Sequence, residues 1–347
     1  MKSDTESLTF DWPKLGNEAV LAFLDESLKS DRLARAYVFC GPADLGKGTV
    51  ARALAKNLLF KDRPDLAEKQ EGSPDFSSLE SDFHILAPDE NKKNISVEAT
   101  RDFIHALSMS SFLDSYKIGL VKSAELLSEG AANALLKTLE EPRAKVLIIL
   151  LASNPESLPA TIISRAQVLN FYPVQKDQVY DYLLENHGVS RSQAKNLAAL
   201  SLGRPIRAVR FLEDEALYAK YLALAKNLLD LLVAPLGDRW ALIGGLINGR
   251  ASFAESAAEM RLVLEIWQGV LRDLLLLNSG HEDLLQFAAL DEELKAAYRQ
   301  ISSAKKDNYE NINAYLLGES QILKQHQEFL AANVAPKNIL DSLAINL

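Results

Sequence analysis

Gly41-Pro42-Ala43-Asp44-Leu45-Gly46-Lys47-Gly48-Thr49 carries the G-x-x-x-x-G-K spacing of a phosphate-binding loop. The chemistry of such a loop is electrostatic: backbone N–H groups at a helix N-terminus cradle phosphates while the lysine reaches the terminal ones. Gly41, Gly46, Lys47, Gly48 and Thr49 are therefore the candidate nucleotide-binding residues. The last required position is wrong. The hydroxyl that ligates magnesium should follow the lysine directly, yet Gly48 stands there and Thr49 comes one place late. Asp44 adds a negative charge to a loop that must accept polyanions. Two readings stay open: a strand-turn-helix corner that no longer binds nucleotide, and a loop that holds ATP or ADP weakly without hydrolysis.

The other half of a hydrolytic site would be an acidic pair at the end of a strand, holding magnesium and polarising water. Here the apolar run Ile118-Gly119-Leu120-Val121 ends in Lys122-Ser123-Ala124-Glu125. Lys122 and Ser123 occupy the two acidic places. Glu125 comes too late to ligate the metal in the usual way and reads as a solvated carboxylate at a helix start. The scaffold points to ATPase ancestry and the substitutions point away from hydrolysis. No metal site is expected, because the histidines at 84, 105, 187, 281 and 326 lack metal-ligand spacing and a single cysteine, Cys40, excludes a multi-cysteine zinc site. A G-x-S-x-G nucleophile elbow is also missing.

These groups need a scaffold, and the first half of the chain supplies short apolar runs alternating with helical patterns, the signature of βα units on a parallel sheet. The expected strands are Ala36–Cys40, Phe83–Leu86, Lys117–Val121, Val146–Ala152 and Gln167–Phe171. Val146–Ala152 has no polar interruption, as a central strand covered on both faces requires. Lys61–Asp82 is polar and proline-containing and reads as an exposed insertion. After Pro173 the strands stop. Gln175–His187, Ser190–Ser201 and Pro205–Asp214 read as short helices separated by Gly188 and by Gly203-Arg204-Pro205. From Glu215 the pattern is helical throughout, with Leu217, Tyr221, Leu224, Leu228 and Leu231 on one face and Met260, Val263, Trp267, Val270 and Leu274 on another. Further helices are expected at Asp283–Ser302, at Glu310–Ala332 and after Pro336. The expected domains are an α/β domain over 1–172, a small helical domain over 173–214 and a helical bundle over 215–347.

Composition bounds the function classes. At 347 residues the chain is long enough for more than one core. Its content, 48% apolar and 24% charged, is that of an ordinary folded protein. A net charge of -9 argues against capture of DNA by the whole surface, leaving only local basic patches. The polar, acidic N-terminus has no secretory pattern and no stretch is apolar enough to span a bilayer, so the expected location is a reducing cytoplasm with no membrane partner.

The run Glu129-Gly130-Ala131-Ala132-Asn133-Ala134-Leu135-Leu136-Lys137-Thr138-Leu139-Glu140-Glu141-Pro142, followed by Leu158-Pro159-Ala160-Thr161-Ile162-Ile163-Ser164-Arg165-Ala166, resembles the bacterial clamp-loader subunits of DNA polymerase III. These are the tau/gamma ATPases and their delta-prime relatives, within the AAA+ superfamily. The ordered set of phosphate loop, aborted acidic motif, A-N-A-L-L-K-x-L-E-E-P and S-R-x covers most of the first 170 residues.

The resemblance implies an AAA+ P-loop domain, a helical lid and an all-α collar that oligomerises. It implies that Arg165, with Ser164, serves as an arginine finger reaching the phosphate of ATP held by a neighbouring subunit, a role suited to a planar charge supplied in trans. Ala166 replaces the family's usual cysteine. Arg207, within Gly203-Arg204-Pro205-Ile206-Arg207-Ala208, matches the sensor-2 region, where an arginine faces nucleotide, and Asn154 sits near the sensor-1 polar residue. The four-cysteine zinc module of many relatives is missing, so zinc is not expected. Lys122 and Ser123 place the chain nearer delta-prime than the working ATPases. The implied role is a largely non-catalytic subunit of a DNA-directed DNA polymerase holoenzyme, without ATPase activity of its own. Its implied partners are the tau/gamma ATPase and delta, the sliding clamp indirectly, and primer-template DNA through the assembly. An active tau/gamma-type ATPase and a stand-alone AAA+-derived adaptor remain the alternatives.

Overall fold

Ala36–Cys40 (β1), Phe83–Leu86 (β2), Lys117–Val121 (β3), Val146–Ala152 (β4) and Gln167–Asn170 (β5) form a parallel sheet in the order β2-β3-β4-β1-β5. The computed structural model describes residues 10–61, 82–89, 94–111, 116–141, 145–247, 252–305 and 312–347. Strand β5 ends one residue earlier than the sequence pattern suggests, at Asn170; Phe171 is buried, and its N–H still donates to Cys40 O at 2.7 Å. Both faces of the sheet are covered, which is why its central strands are apolar without alternation. Tyr37, Phe39, Leu120 and Ile149 pack toward helices α1 (Glu18–Lys29) and α2 (Lys47–Leu59). Val38, Cys40, Ile148 and Leu150 pack toward α3 (Val97–Ser108) and α4 (Glu129–Glu140).

The insertion expected at Lys61–Asp82 falls outside the described residues between 62 and 81. Its last residue is not exposed. Asp82 is fully buried, pairs with Lys117 at 3.3 Å and accepts the Ser111 hydroxyl at 2.8 Å. A polar residue beside a polar run looks like surface by composition, but here it neutralises a lysine that opens a buried strand.

The described residues divide into two compact units, one running to Gln175 and including Arg204–Ile206, the other comprising Lys176–Gly203 and Arg207–Leu347. The helices expected to make a lid and those expected to make a bundle fall together in the second unit. They are α6 (Lys176–His187), α7 (Arg191–Ser201), α8 (Pro205–Glu213) from Arg207 onward, α9 (Glu215–Val233), α10 (Leu236–Ile243), α11 (Phe253–Asn278), α12 (Asp291–Lys305), α13 (Ile312–Ala331) and α14 (Pro336–Asn346). The apolar stripe on α11 is buried throughout, and that on α9 is buried from Tyr221 to Leu231 with Leu217 partly exposed; Trp267 on α11 donates its indole N–H to Leu224 O at 3.1 Å.

One helix starts later than its pattern suggests. Residues 283–290 do not begin α12; the 3-10 turns Glu282–Leu284 and Ala288–Leu290 occupy this stretch. The cause is Asp273 on α11, whose buried carboxylate accepts the backbone N–H groups of Gln286 at 3.0 Å and Phe287 at 2.8 Å. Those donors are thereby withdrawn from a helical ladder. Among the described residues no helix is long and apolar enough to cross a membrane.

Candidate functional site

Strand order assembles the phosphate corner. Because β3, β4 and β1 are neighbours and parallel, the loops leaving their carboxyl ends converge at the edge where open α/β sheets bind ligands. The pocket there, of about 390 Å³, is lined by Gly41 to Thr49 except Pro42, by Arg52, by Lys122, Ser123 and Glu125 after β3, by Leu151, Ala152 and Ser153 at the end of β4, and by Ile206. All five candidate residues of the loop thus meet in one cavity.

The loop keeps its backbone requirements. Gly41 has φ 144°, and a Cβ there would stand 2.4 Å from Phe171 O, so no other residue fits without moving the neighbouring strand. Gly46 N-caps α2 at φ 87°. Lys47 opens that helix; its ammonium donates to Gly41 O and, at 2.7 Å, to Pro42 O. Burial pulls the Lys47 pKa below its ordinary value, opposed chiefly by the charge of Glu125.

Gly48 is different in kind. A Cβ added there would meet only Leu151 Cδ1, at 3.8 Å, an ordinary contact. Nothing in the backbone demands glycine, so the absent hydroxyl is a chemical substitution rather than a steric one.

At the acidic places, Lys122 and Ser123 both face the pocket, and Ser123 adopts a left-handed backbone, φ 51°, at the start of the 3-10 turn Ala124–Leu126. Glu125, on that turn, is not the solvated carboxylate expected from sequence. It lines the pocket and its Oε2 is buried without a hydrogen-bond partner. The turn directs it inward, where a regular helix start would leave it in water. Asp44 also lines the pocket, in a left-handed conformation at φ 65°, and its carbonyl accepts the Ile206 N–H at 3.1 Å.

Asn154 does not join this set. Its side-chain oxygen caps the 3-10 turn Pro155–Ser157 by accepting the Ser157 N–H at 2.7 Å, while Ser153 lines the pocket instead. Arg207 is buried on α8 and pairs with Glu265 of α11 at 2.9 Å. Sequence reasoning missed Arg52. It falls three residues after Thr49, hence on the same helical face, and that spacing was the available signal.

Arg165 belongs to the opposite edge of the same sheet. It follows the single-turn helix α5 (Ala160–Ile163) and precedes β5, whose first residue, Gln167, pairs with Tyr37 at the start of β1. The phosphate loop begins only after the far end of β1, some 13 Å of strand away at about 3.3 Å per residue. Arg165 is exposed and lines a shallow depression with Leu139, Glu140 and Ser164. Its guanidinium is ordered from below: Nε donates to Glu140 Oε1 at 2.8 Å, and Nη1 to Thr161 O at 2.9 Å and to Ser164 Oγ at 3.1 Å. Glu140 ends α4, 25 residues away, and no local pattern announces the pair. Lys137 lies exposed on the same helix, while Pro142 and Arg143 are outside the described residues.

Comparison with known proteins shows what the chain is similar to. Residues 16–175 match the family model described as DNA polymerase III, delta subunit. DNA polymerase III subunit delta' of Bacillus subtilis (strain 168) is 28% identical over 321 residues, covering 88% of this chain and 94% of that protein. The Haemophilus influenzae delta' protein is 38% identical over 133 residues, 38% of this chain and 40% of that protein. The tau/gamma subunit of the same organism is 25% identical over 345 residues, covering 92% of this chain but only half, 50%, of that longer protein.

Proposed function

We propose, from the premise that this chain belongs to the delta-prime family of DNA polymerase III clamp-loader subunits, that it is a largely non-catalytic member of the loader. In this reading it presents Arg165, ordered by Ser164, to the ATP of a neighbouring tau/gamma-type subunit. Through that contact it couples the neighbour's hydrolysis to placing a sliding clamp on primed DNA, with delta as a further partner.

The observation that carries the reading is the division between the two sheet edges. At the carboxyl edge the groups that would hold magnesium are replaced by Gly48, Lys122 and Ser123. At the amino edge an exposed arginine is held in a defined pose and does not line the chain's own phosphate pocket. That separation from the chain's own phosphate loop supports a role toward another chain's phosphates.

Glu140 does not defeat this role. The pair is half exposed, and such pairs are worth about 0–1 kcal/mol. A trans arginine is worth roughly 10³–10⁵ in turnover, so a neighbour's transferring phosphate readily replaces the carboxylate.

The test is to co-express the chain with tau/gamma and delta partners and compare the ATPase of the purified complex with that of the chain alone. The isolated chain should show no turnover, and Arg165→Ala should depress the complex without dissolving it. Turnover by the isolated chain would favour the tau/gamma-type alternative. Failure to assemble with these partners would favour an adaptor outside the loader.

A further inference from the structure

The phosphate pocket has not simply lost a magnesium site; one of the lost ligands has become a cation. The hydroxyl position is Gly48 and the acidic positions are Lys122 and Ser123, and all three line the cavity. The residues present therefore do not fit the divalent cation that such a pocket ordinarily shares with its nucleotide. They do fit phosphate. Lys47, Arg52 and Lys122 face one cavity of about 390 Å³ with the α2 N-terminus, within the size range of small-molecule sites. The opposing carboxylates there are Asp44 and Glu125.

We propose that this pocket binds the di- or triphosphate group of a nucleotide without a divalent cation, with the Lys122 ammonium supplying the charge that magnesium supplies elsewhere. The inference rests on the P-loop reading of residues 41–49. In P-loop enzymes the metal bridges the terminal phosphates and neutralises them. An ammonium is a compact point charge with three donors, able to neutralise phosphate but unable to polarise an attacking water as a metal does. The bound nucleotide is then a structural ligand and is not hydrolysed. A nucleotide already complexed with magnesium brings a second cation against Lys122 and Arg52, so magnesium weakens binding. Glu125, with a buried carboxylate oxygen lacking a hydrogen-bond partner, opposes the ligand's charge and holds affinity down.

The test is equilibrium titration of the full chain with ATP, ADP and inorganic pyrophosphate, each in a chelator and in excess magnesium. Binding is expected in the chelator and about tenfold weaker in magnesium. Lys122→Ala should lower the chelator affinity by about tenfold, the usual order for losing one charge-assisted contact, and Glu125→Gln should raise it several-fold. The double variant Gly48→Thr with Lys122→Asp should invert the response to magnesium. The space at position 48 accepts a side chain, and thermal melts confirm folding of each variant. Pyrophosphate binding as tightly as ADP would assign the site to phosphate alone; weaker binding would add recognition of the nucleoside. Lack of binding in the chelator, tighter binding in magnesium, or indifference to Lys122→Ala overturns the proposal. None of these outcomes bears on Arg165, whose role is read from the neighbour's turnover.

Discussion

The two edges of the one sheet have met different fates. At the carboxyl edge, glycines with the spacing of a phosphate loop stand beside Gly48, Lys122 and Ser123, none of which is a carboxylate; at the amino edge, Arg165 is held by hydrogen bonds to Glu140 and Ser164. The difference teaches which residues a fold protects. Gly41 is fixed by its positive φ and by Phe171 O, so losing it would disturb the junction of β1 and β5. At Gly48, by contrast, a Cβ would make only an ordinary contact, so the backbone does not require glycine there. Arg165 is exposed, so packing alone does not require an arginine there.

The strongest attack on this contrast is Arg165→Ala in the assembled loader. Turnover should fall by about three orders of magnitude with the complex intact by size analysis. Arg165→Lys should rescue little, since a point charge does not reproduce the planar fork. A fall of only a few-fold would leave the amino edge as inert as the other.

Next in size are lesions of the shared scaffold, which should damage both edges alike. Asp82→Ala removes the buried carboxylate that pairs with Lys117 at 3.3 Å, and breaking a buried pair costs about 3–5 kcal/mol. Urea unfolding should register that loss, and loader assembly and nucleotide binding should decline together. If one survives, the edges are mounted less rigidly on the common sheet than the strand register suggests.

The helical unit offers a control that should touch neither edge. Burial raises the Asp273 carboxyl from its ordinary 3.8 to about 6, against the pull of the Gln286 and Phe287 N–H groups and of Arg272. The folded state therefore holds this proton more tightly than the unfolded chain does. Its contribution is full below about pH 3.8 and is lost as pH rises through about 6. At roughly 1.4 kcal/mol per unit the loss is about 3 kcal/mol. Asp273→Asn should flatten that part of the stability–pH profile measured by denaturant titration. A profile unchanged by the substitution would remove Asp273 from the account.

The smallest effect is expected at Glu140→Gln, which frees Arg165 from an exposed pair worth about 0–1 kcal/mol. Loader turnover should change by less than about fivefold. A large rise would mean that Glu140 restrains the finger, and the amino edge would then be regulated rather than simply exposed.

Most of this architecture was legible along the chain. The strands and the loop spacing are properties of consecutive residues, set by period and by the local geometry of a strand-turn-helix corner. The late start of α12 was not legible, because its cause lies at Asp273, more than ten residues upstream on another helix. Glu125 was misjudged for a related reason: its neighbours suggest a helix start, but a 3-10 turn points it into the cavity.

By itself, then, the sequence determined that residues 41–49 have the spacing of a phosphate loop, that Gly48, Lys122 and Ser123 stand where its metal ligands are expected, and that a Ser-Arg pair precedes the strand at Gln167. Only the tertiary structure decided that Arg52, Lys122 and Glu125 share the loop's pocket, and that Arg165 stands at the far edge against Glu140. The reason is physical. Spacing within a segment is set by local backbone geometry, whereas these meetings depend on strand order and register, and β1 lying between β4 and β5 is a long-range packing outcome that no local pattern encodes.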